Sequence, residues 1–340
     1  MPSQTLAGEK FLITGGLGYI GAHVVREFIA SECEVYILDN LSTGLIGRLP
    51  LQAKFIDCDV RNAERVREIC NSFEITGVVH MAAFKHARES KLKSPEYLAN
   101  NVGGTLGLVE GIKNTGVKKL IFSSSCSVYG NAEDVNENSQ PSPQSPYALS
   151  KLISEQILQE SVNALEINYS ALRFFNVVGC GDFSNSQDTS SECLIPVVAE
   201  RIKNKKPIQI FGDQLPTPDG TCLRDYLDVR DIARAHTIVA DEMGRREMPK
   251  IINLSSGKPT SVGEIIKIFE DLLGRELEVT KQENNPADPV AVWSQKSKFL
   301  TELGWSPQYS LEESIFSHLK KSRIVANNLA KLRAGKILDY

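Results

Sequence analysis

The chain lacks any run approaching the roughly 18 to 20 consecutive apolar residues that cross a membrane as a helix. Its polar opening, MPSQTLAGEK, lacks the apolar stretch of a secretory signal, so a cytoplasmic location and no membrane partner are expected. There is no C-x-x-C pair, and the seven cysteines are odd in number, which argues against a disulfide framework and a structural zinc site; no metal is expected. There is no basic excess either: the net charge of −4 gives no electrostatic footprint for nucleic acid. Internal repeats, low-complexity tracts and an evident linker are absent. What is present is 340 residues, 41% hydrophobic and 24% charged, enough for one large domain or two unequal ones sharing a core.

Short apolar runs alternate with helical patterns through the first half. KFLIT, EVYILD, AKFIDCD, GVVHMAA and KKLIFSSS read as strands, the pattern of an α/β doubly wound parallel sheet. After YSALRFFNVVG the order loosens into GCGDFSNSQDTSSE and GDQLPTPDGTC, which read as loops lining something. The expected organisation is a nucleotide-binding domain over 1–178, with some later segments returning to it, and a smaller C-terminal α/β substrate domain over 179–340.

FLITGGLGYIGAHVVREFIA places Gly15, Gly18 and Gly21 at three-residue spacing between a strand and an amphipathic helix. Glycine allows the tight turn and lets backbone approach a pyrophosphate, whose charge the N–H groups and dipole of the following helix stabilise. A second strand then ends in Asp39, where a carboxylate accepts hydrogen bonds from ribose hydroxyls and opposes a 2′-phosphate. The expected cofactor is NAD, on a Rossmann-type sheet.

SPQSPYALSKLISEQIL puts Tyr147 and Lys151 four residues apart on a helix, with Ser145 as N-cap and Pro146 in its first position. A phenol near its ordinary pKa of about 10 is a poor base at neutral pH. An ammonium one turn away, the helix N-terminus and an oxidised nicotinamide would all lower it. A phenolate beside NAD could then remove the proton of a substrate hydroxyl during alcohol oxidation.

With LIFSSSCSVYG ending the fifth strand, the motifs TGGLGYIG, LDNLSTG, DVRN, HMAAFKHARES, NNVGGTL, SSSCSVYG, SPYALSK, RFFNVVG, IFG and TPDGTCLRDYLDV stand in order over about 300 positions. The chain thereby resembles the extended short-chain dehydrogenase/reductases, most closely the UDP-glucose 4-epimerases. The resemblance implies Ser125 as catalytic hydroxyl, Tyr147 as base and Lys151 as its modulator and ribose ligand. The cofactor would be held by Gly15, Gly18, Tyr19, Ile20 and Gly21, by Asp39, Asn40, Ser42, Thr43 and Gly44, and by Asp59 and Val60 around the adenine. Met81, Ala82, Ala83, Lys85, Asn100, Ser123 and Phe175 would complete that site, together with Tyr147 and Lys151. The substrate would meet Lys85, Ser125, Tyr147, Asn176, Cys193, Leu194, Phe211, Arg224, Asn285, Asp288 and Val292. Taken by itself, Arg224 would instead form a surface ion pair with Asp225 or Asp228.

Dehydratases of this superfamily carry an Asp-Glu pair after the catalytic hydroxyl, where this chain has Cys126 and Ser127, so elimination is disfavoured. The expected activity is an NAD-dependent nucleotide-sugar 4-epimerase that passes through a transient 4-keto sugar. A UDP-hexose is the first substrate, Val292 implies tolerance of N-acetylhexosamines, and a homodimer is implied. An epimerase or net oxidoreductase acting on a different nucleotide sugar is the alternative. A cofactor-sensing binding protein would have no need of Ser125, Tyr147 and Lys151. Three departures fall in the substrate half: Cys193 replaces an asparagine, Asn285 replaces an arginine, and the loop after Gly179 is short.

Overall fold

The computed structural model describes residues 6–283 and 289–325. The predicted strands form where the apolar runs lie: β1 (Lys10–Thr14), β2 (Glu34–Asp39), β3 (Lys54–Asp57), β4 (Gly77–His80) and β5 (Lys119–Ser125). Between and after them come α1 (Tyr19–Ala30), α2 (Ala63–Ser72), α3 (Ala87–Leu92) and α4 (Ser94–Ile112), then β6 (Ala132–Val135), α5 (Pro146–Leu165), β7 (Asn168–Phe174) and β8 (Asn176–Val178). The second half supplies α6 (Leu194–Lys203), β9 (Ile208–Phe211), β10 (Leu223–Asp228), α7 (Val229–Glu242), β11 (Ile251–Leu254), β12 (Pro259–Ser261) and α8 (Val262–Leu273). It closes with β13 (Val279–Gln282), β14 (Ala291–Ser294), α9 (Lys298–Glu302) and α10 (Leu311–Lys321).

Seven strands make one parallel sheet in the order β11-β7-β5-β4-β1-β2-β3. Both faces are covered, so its central strands read as continuous apolar runs without alternation: all seven residues of β5 and four of five in β1 are buried. Phe11, Ile13, Val24 and Phe28 lead one apolar layer, and Leu12, Val78, Leu120 and Tyr169 lead the other. The order reverses between β1 and β4, which opens a crevice at the carboxyl ends of the strands.

The chain crosses from one half to the other repeatedly. β11 extends the large sheet beside β7, and α7 packs on α1, although both follow residue 178. Conversely β6 pairs with β14 in a second sheet that runs β12-β10-β14-β6, with β8 on β10. A third apolar cluster, including Ile195, Tyr226, Ile265, Phe269 and Ile315, binds α6, α8 and α10 to β10.

Candidate active site

A cleft of about 520 Å³ lies at that crevice. Its floor is the glycine turn. Gly15 has φ +69°, and a Cβ there would meet the Ala82 backbone at 2.8 Å. A Cβ on Gly21 would lie 2.2 Å from the Gly15 carbonyl, so α1 can start this close to β1 only with glycine in place. Gly18 is the N-cap of α1 and makes no side-chain cap, leaving the first helical N–H groups to the cleft. Tyr19 and Ile20 line it as well.

Asp39, 6% exposed, closes the far side from the end of β2. Its two carboxylate oxygens already accept the N–H groups of Leu17 at 3.0 Å and Leu41 at 2.9 Å, and burial raises its pKa against them. Asn40, Ser42 and Thr43 line the same end, whereas Gly44 does not: its role is close approach, since a Cβ would sit 2.6 Å from Asp39 Oδ1. Asp59 and Val60 follow β3, and Arg61 grips the Asp59 carboxylate through Nε and Nη2, holding its pKa at about 2. Met81, Ala82, Ala83, Lys85 and Asn100 complete this wall.

Tyr147 and Lys151 reach the opposite end from α5, whose start is built as read: Ser145 Oγ accepts the Ala148 N–H at 3.1 Å and Pro146 follows. The Tyr147 N–H donates to Ser90 Oγ at 3.1 Å, pinning the first turn. Lys151 Nζ donates to the Ser123 carbonyl at 2.7 Å. Ser123 Oγ is buried and lacks a protein partner among the described residues, a donor left for a ligand. Ser125 caps the turn at Cys126–Tyr129 by accepting from the Ser127 N–H at 3.2 Å, and donates to Ser127 Oγ at 2.9 Å.

The electrostatics differ from expectation at one point. Burial pushes the Tyr147 phenol up to about 12, with the Ser125 hydroxyl opposing, while burial brings Lys151 down to about 8 against the pull of Glu155. The protein alone therefore does not lower the phenol, because its desolvation outweighs the hydrogen bond from Ser125.

Several expected substrate contacts stand elsewhere. Arg224 gives its guanidinium to the carbonyls of Leu223, Val290 and Pro289, and neither lines the cleft nor pairs with Asp225 or Asp228. Phe175 and Val292 are packed together with Cys126 and Tyr129, and it is Phe174 that reaches the cleft. Ser125, Asn176, Cys193 and Leu194 lie outside the cleft lining, as does Phe211, which is 44% exposed with Arg88 5.8 Å from its ring. Asn285 and Asp288 fall outside the described residues.

The cleft also contains residues that motif reading passed over. Arg48, 3% exposed, donates to the carbonyls of Leu17, Asn185 and Gln187. It thereby fastens the loop after Gly179 to the glycine turn. Tyr19 Oη donates to the Gly179 carbonyl at 2.6 Å, and the Gly181 N–H donates to His23 Nε2 at 2.9 Å, His23 being held neutral by burial at about 4. Asp188 from that loop faces Lys85. No short-range pattern marks these contacts, since the partner atoms are mostly backbone and far away in sequence.

The bared backbone at Gly15 and Gly18, the carboxylate ending β2 and the unpartnered Ser123 hydroxyl fit a dinucleotide such as NAD. Over 320 residues the chain is 31% identical to the UDP-glucose 4-epimerase of Azospirillum brasilense, covering 93% of this chain and 92% of that one. A crystal structure of UDP-glucose-4-epimerase from Stenotrophomonas maltophila with bound NAD and formylated UDP-arabinopyranose matches with a TM-score of 0.88 at 29% identity, over 96% and 99% of the two chains. The UDP-Glc/GlcNAc 4-epimerase of Campylobacter jejuni matches with a TM-score of 0.81 at 33% identity, over 93% and 99%. The model of the NAD dependent epimerase/dehydratase family matches residues 11–255, from the first strand through every wall of the cleft, and the chain belongs to that family.

Proposed function

We propose that this NAD-dependent nucleotide-sugar 4-epimerase interconverts a UDP-hexose and its C4 epimer, with Tyr147 exchanging the proton of the C4 hydroxyl. The observation that carries the reading is the convergence on one cleft of the glycine turn and Asp39 at one end and Tyr147, Lys151 and Ser123 at the other. Bound there, NAD would supply the reversible hydride chemistry. Gly15, Gly18 and Gly21 would hold its pyrophosphate through backbone, Asp39 its adenosine ribose, and Lys151 and Ser123 its nicotinamide half.

Tyr147 takes the C4 hydroxyl proton as the carbon is oxidised and returns it when the 4-keto sugar is reduced on the opposite face. Ser125 hydrogen-bonds the same oxygen and orients it. Lys151, held on the Ser123 carbonyl, contributes positive charge that favours the phenolate once the cofactor's own charge joins it. Because Cys126 and Ser127 carry no carboxylate, this wall has no acid–base pair for elimination. Acceptance of N-acetylhexosamines as well as hexoses is supported by the UDP-Glc/GlcNAc 4-epimerase of Campylobacter jejuni, to which the chain is similar, and not by Val292, which packs beside Phe175 away from the cleft.

A cytoplasmic homodimer completes the reading. Among the described residues no helix is long and apolar enough to cross a membrane, and all seven cysteines are free. Leu106 on α4, Leu149 on α5 and Leu92 at the end of α3 leave apolar side chains in solvent, 52%, 40% and 88% exposed, where a second copy could cover them. The test is incubation of the purified protein with UDP-galactose and no added NAD, followed by chromatography. UDP-glucose should appear; no conversion, or conversion only when NAD is added and consumed in stoichiometric amount, would overturn the reading.

A further inference from the structure

Glu155 stands one helical turn beyond Lys151 on α5, and its carboxylate is buried, 3% exposed. Oε1 accepts from Ser124 Oγ and from Arg173 Nε at 2.9 Å, and Oε2 accepts from Arg173 Nη2 at 2.6 Å. Ser124 and Arg173 are register partners on β5 and β7, so the carboxylate spans two strands and a helix. Ser124 is also the middle of three serines. The carbonyl before it holds Lys151, and the hydroxyl after it is the one that faces Tyr147.

A buried ion pair is a weak source of stability, because a packed apolar pair of similar volume does as well without the desolvation cost. Arg173 is not even fully paired: its Nη1 is buried with no partner among the described residues. Such a pair placed directly behind the reacting side chains points to a role in the chemistry. We propose that Glu155 is a positioning residue: held by Arg173, it clamps the Ser123–Ser125 segment against α5 and sets a negative charge one turn from the Lys151 ammonium. This rests on Tyr147 and Lys151 being the proton-handling pair.

The charges around Lys151 agree. Burial brings it down to about 8, and Glu155 acts in the opposite sense. On β4, His80 is held neutral at about 3 by its own burial and by Lys151; beside Tyr147, burial keeps the Cys126 thiol protonated, at about 12. Tyr169 on β7 and Tyr129 are also raised, leaving Glu155 as the anion near Lys151 and Arg173 as its counter-charge. Without Glu155, Lys151 would lose its proton at lower pH and the phenolate would lose its neighbour's support.

Two variants separate a positioning role from a structural one. Glu155→Gln/Arg173→Met removes both charges and strands neither. With NAD bound, its Tyr147 ionisation, read as phenolate absorbance relative to a matched Tyr147→Phe protein, should move to higher pH. Its kcat profile should lose activity on the alkaline side earlier than the native enzyme does. Ser124→Ala changes no charge; kcat should fall about tenfold with KM and both pH limbs unchanged, as expected for lost orientation. Native kcat in Ser124→Ala, or an unmoved phenol titration in a folded double variant, would overturn the proposal. The phenol titration needs no substrate, so it stays informative even if UDP-galactose is not turned over.

Discussion

The Asp188 carboxylate lies 3.1 Å from Lys85 Nζ, bringing the loop that follows β8 onto the wall that follows β4. Asp188 is 8% exposed, and burial would raise its pKa; Lys85 and the Ser190 N–H at 3.2 Å bring it below the usual carboxylate range. A diphosphate arriving at Lys85 must therefore compete with an anion already there.

Asp188→Asn should free Lys85 and tighten the diphosphate ligand that it meets, by roughly two- to tenfold, with the gain fading at high salt. Calorimetric titrations with NAD and with UDP show which ligand that is, and no gain for either would remove Lys85 from both sites. A carboxyl lower in the folded than in the unfolded state stabilises above its unfolded pKa and loses that contribution as pH falls through the folded one. Acid unfolding of Asp188→Asn should be correspondingly less steep.

Tyr147→Phe removes one oxygen and leaves the ring packed. Turnover should drop by at least about 100-fold while bound NAD and thermal stability persist. Activity near the native level would eliminate the phenol as the proton carrier.

Lys151 is lower in the folded state, at about 8, than in the unfolded chain. Between those two values the unfolded chain binds the extra proton, so stability should rise with pH from about 8 towards 10.5. Lys151→Met should remove that slope and be the more stable protein at neutral pH, though catalytically poor. Urea melts across this range measure it; parallel curves for the two proteins would mean that Lys151 is not desolvated.

Gly21→Ala places a Cβ 2.2 Å from the Gly15 carbonyl, a backbone clash that no rotamer relieves. The protein should be recovered without NAD and with a lower melting temperature, which mass spectrometry of the native protein and calorimetry report directly.

Asp39 should make NAD preferred over NADP. Since its carboxylate also holds the Leu17 and Leu41 N–H groups, Asp39→Ser should narrow that preference and weaken both cofactors together. Equal affinity of the native protein for the two would contradict the assignment.

The sheet was legible because its strands are unbroken apolar runs with both faces covered, and the cofactor turn because only glycine can approach the Ala82 backbone and the Gly15 carbonyl so closely. The Tyr147–Lys151 helix was legible from its cap and spacing. What escaped depends on partners distant in sequence. Arg48 binds carbonyls more than 130 residues away, at Asn185 and Gln187, and Glu155 acts through a strand pairing that no local pattern encodes. Arg224 shows the same dependence: its guanidinium lies on the carbonyls of Leu223, Val290 and Pro289, two of which are more than 60 residues away.

The loop from Gly179 to Gln187 offers main chain to the glycine-turn side, through the carbonyls of Gly179, Asn185 and Gln187 and the N–H of Gly181, and adds two side chains of its own: Cys180 Sγ donates to the Ser317 carbonyl and the Phe183 ring lies against His23 and Arg26. The gripping side chains, Tyr19, His23 and Arg48, all belong to the nucleotide-binding half. The Gln187 side chain could therefore be exchanged without unfastening the loop, while Tyr19, His23, Arg48 and Phe183 could not.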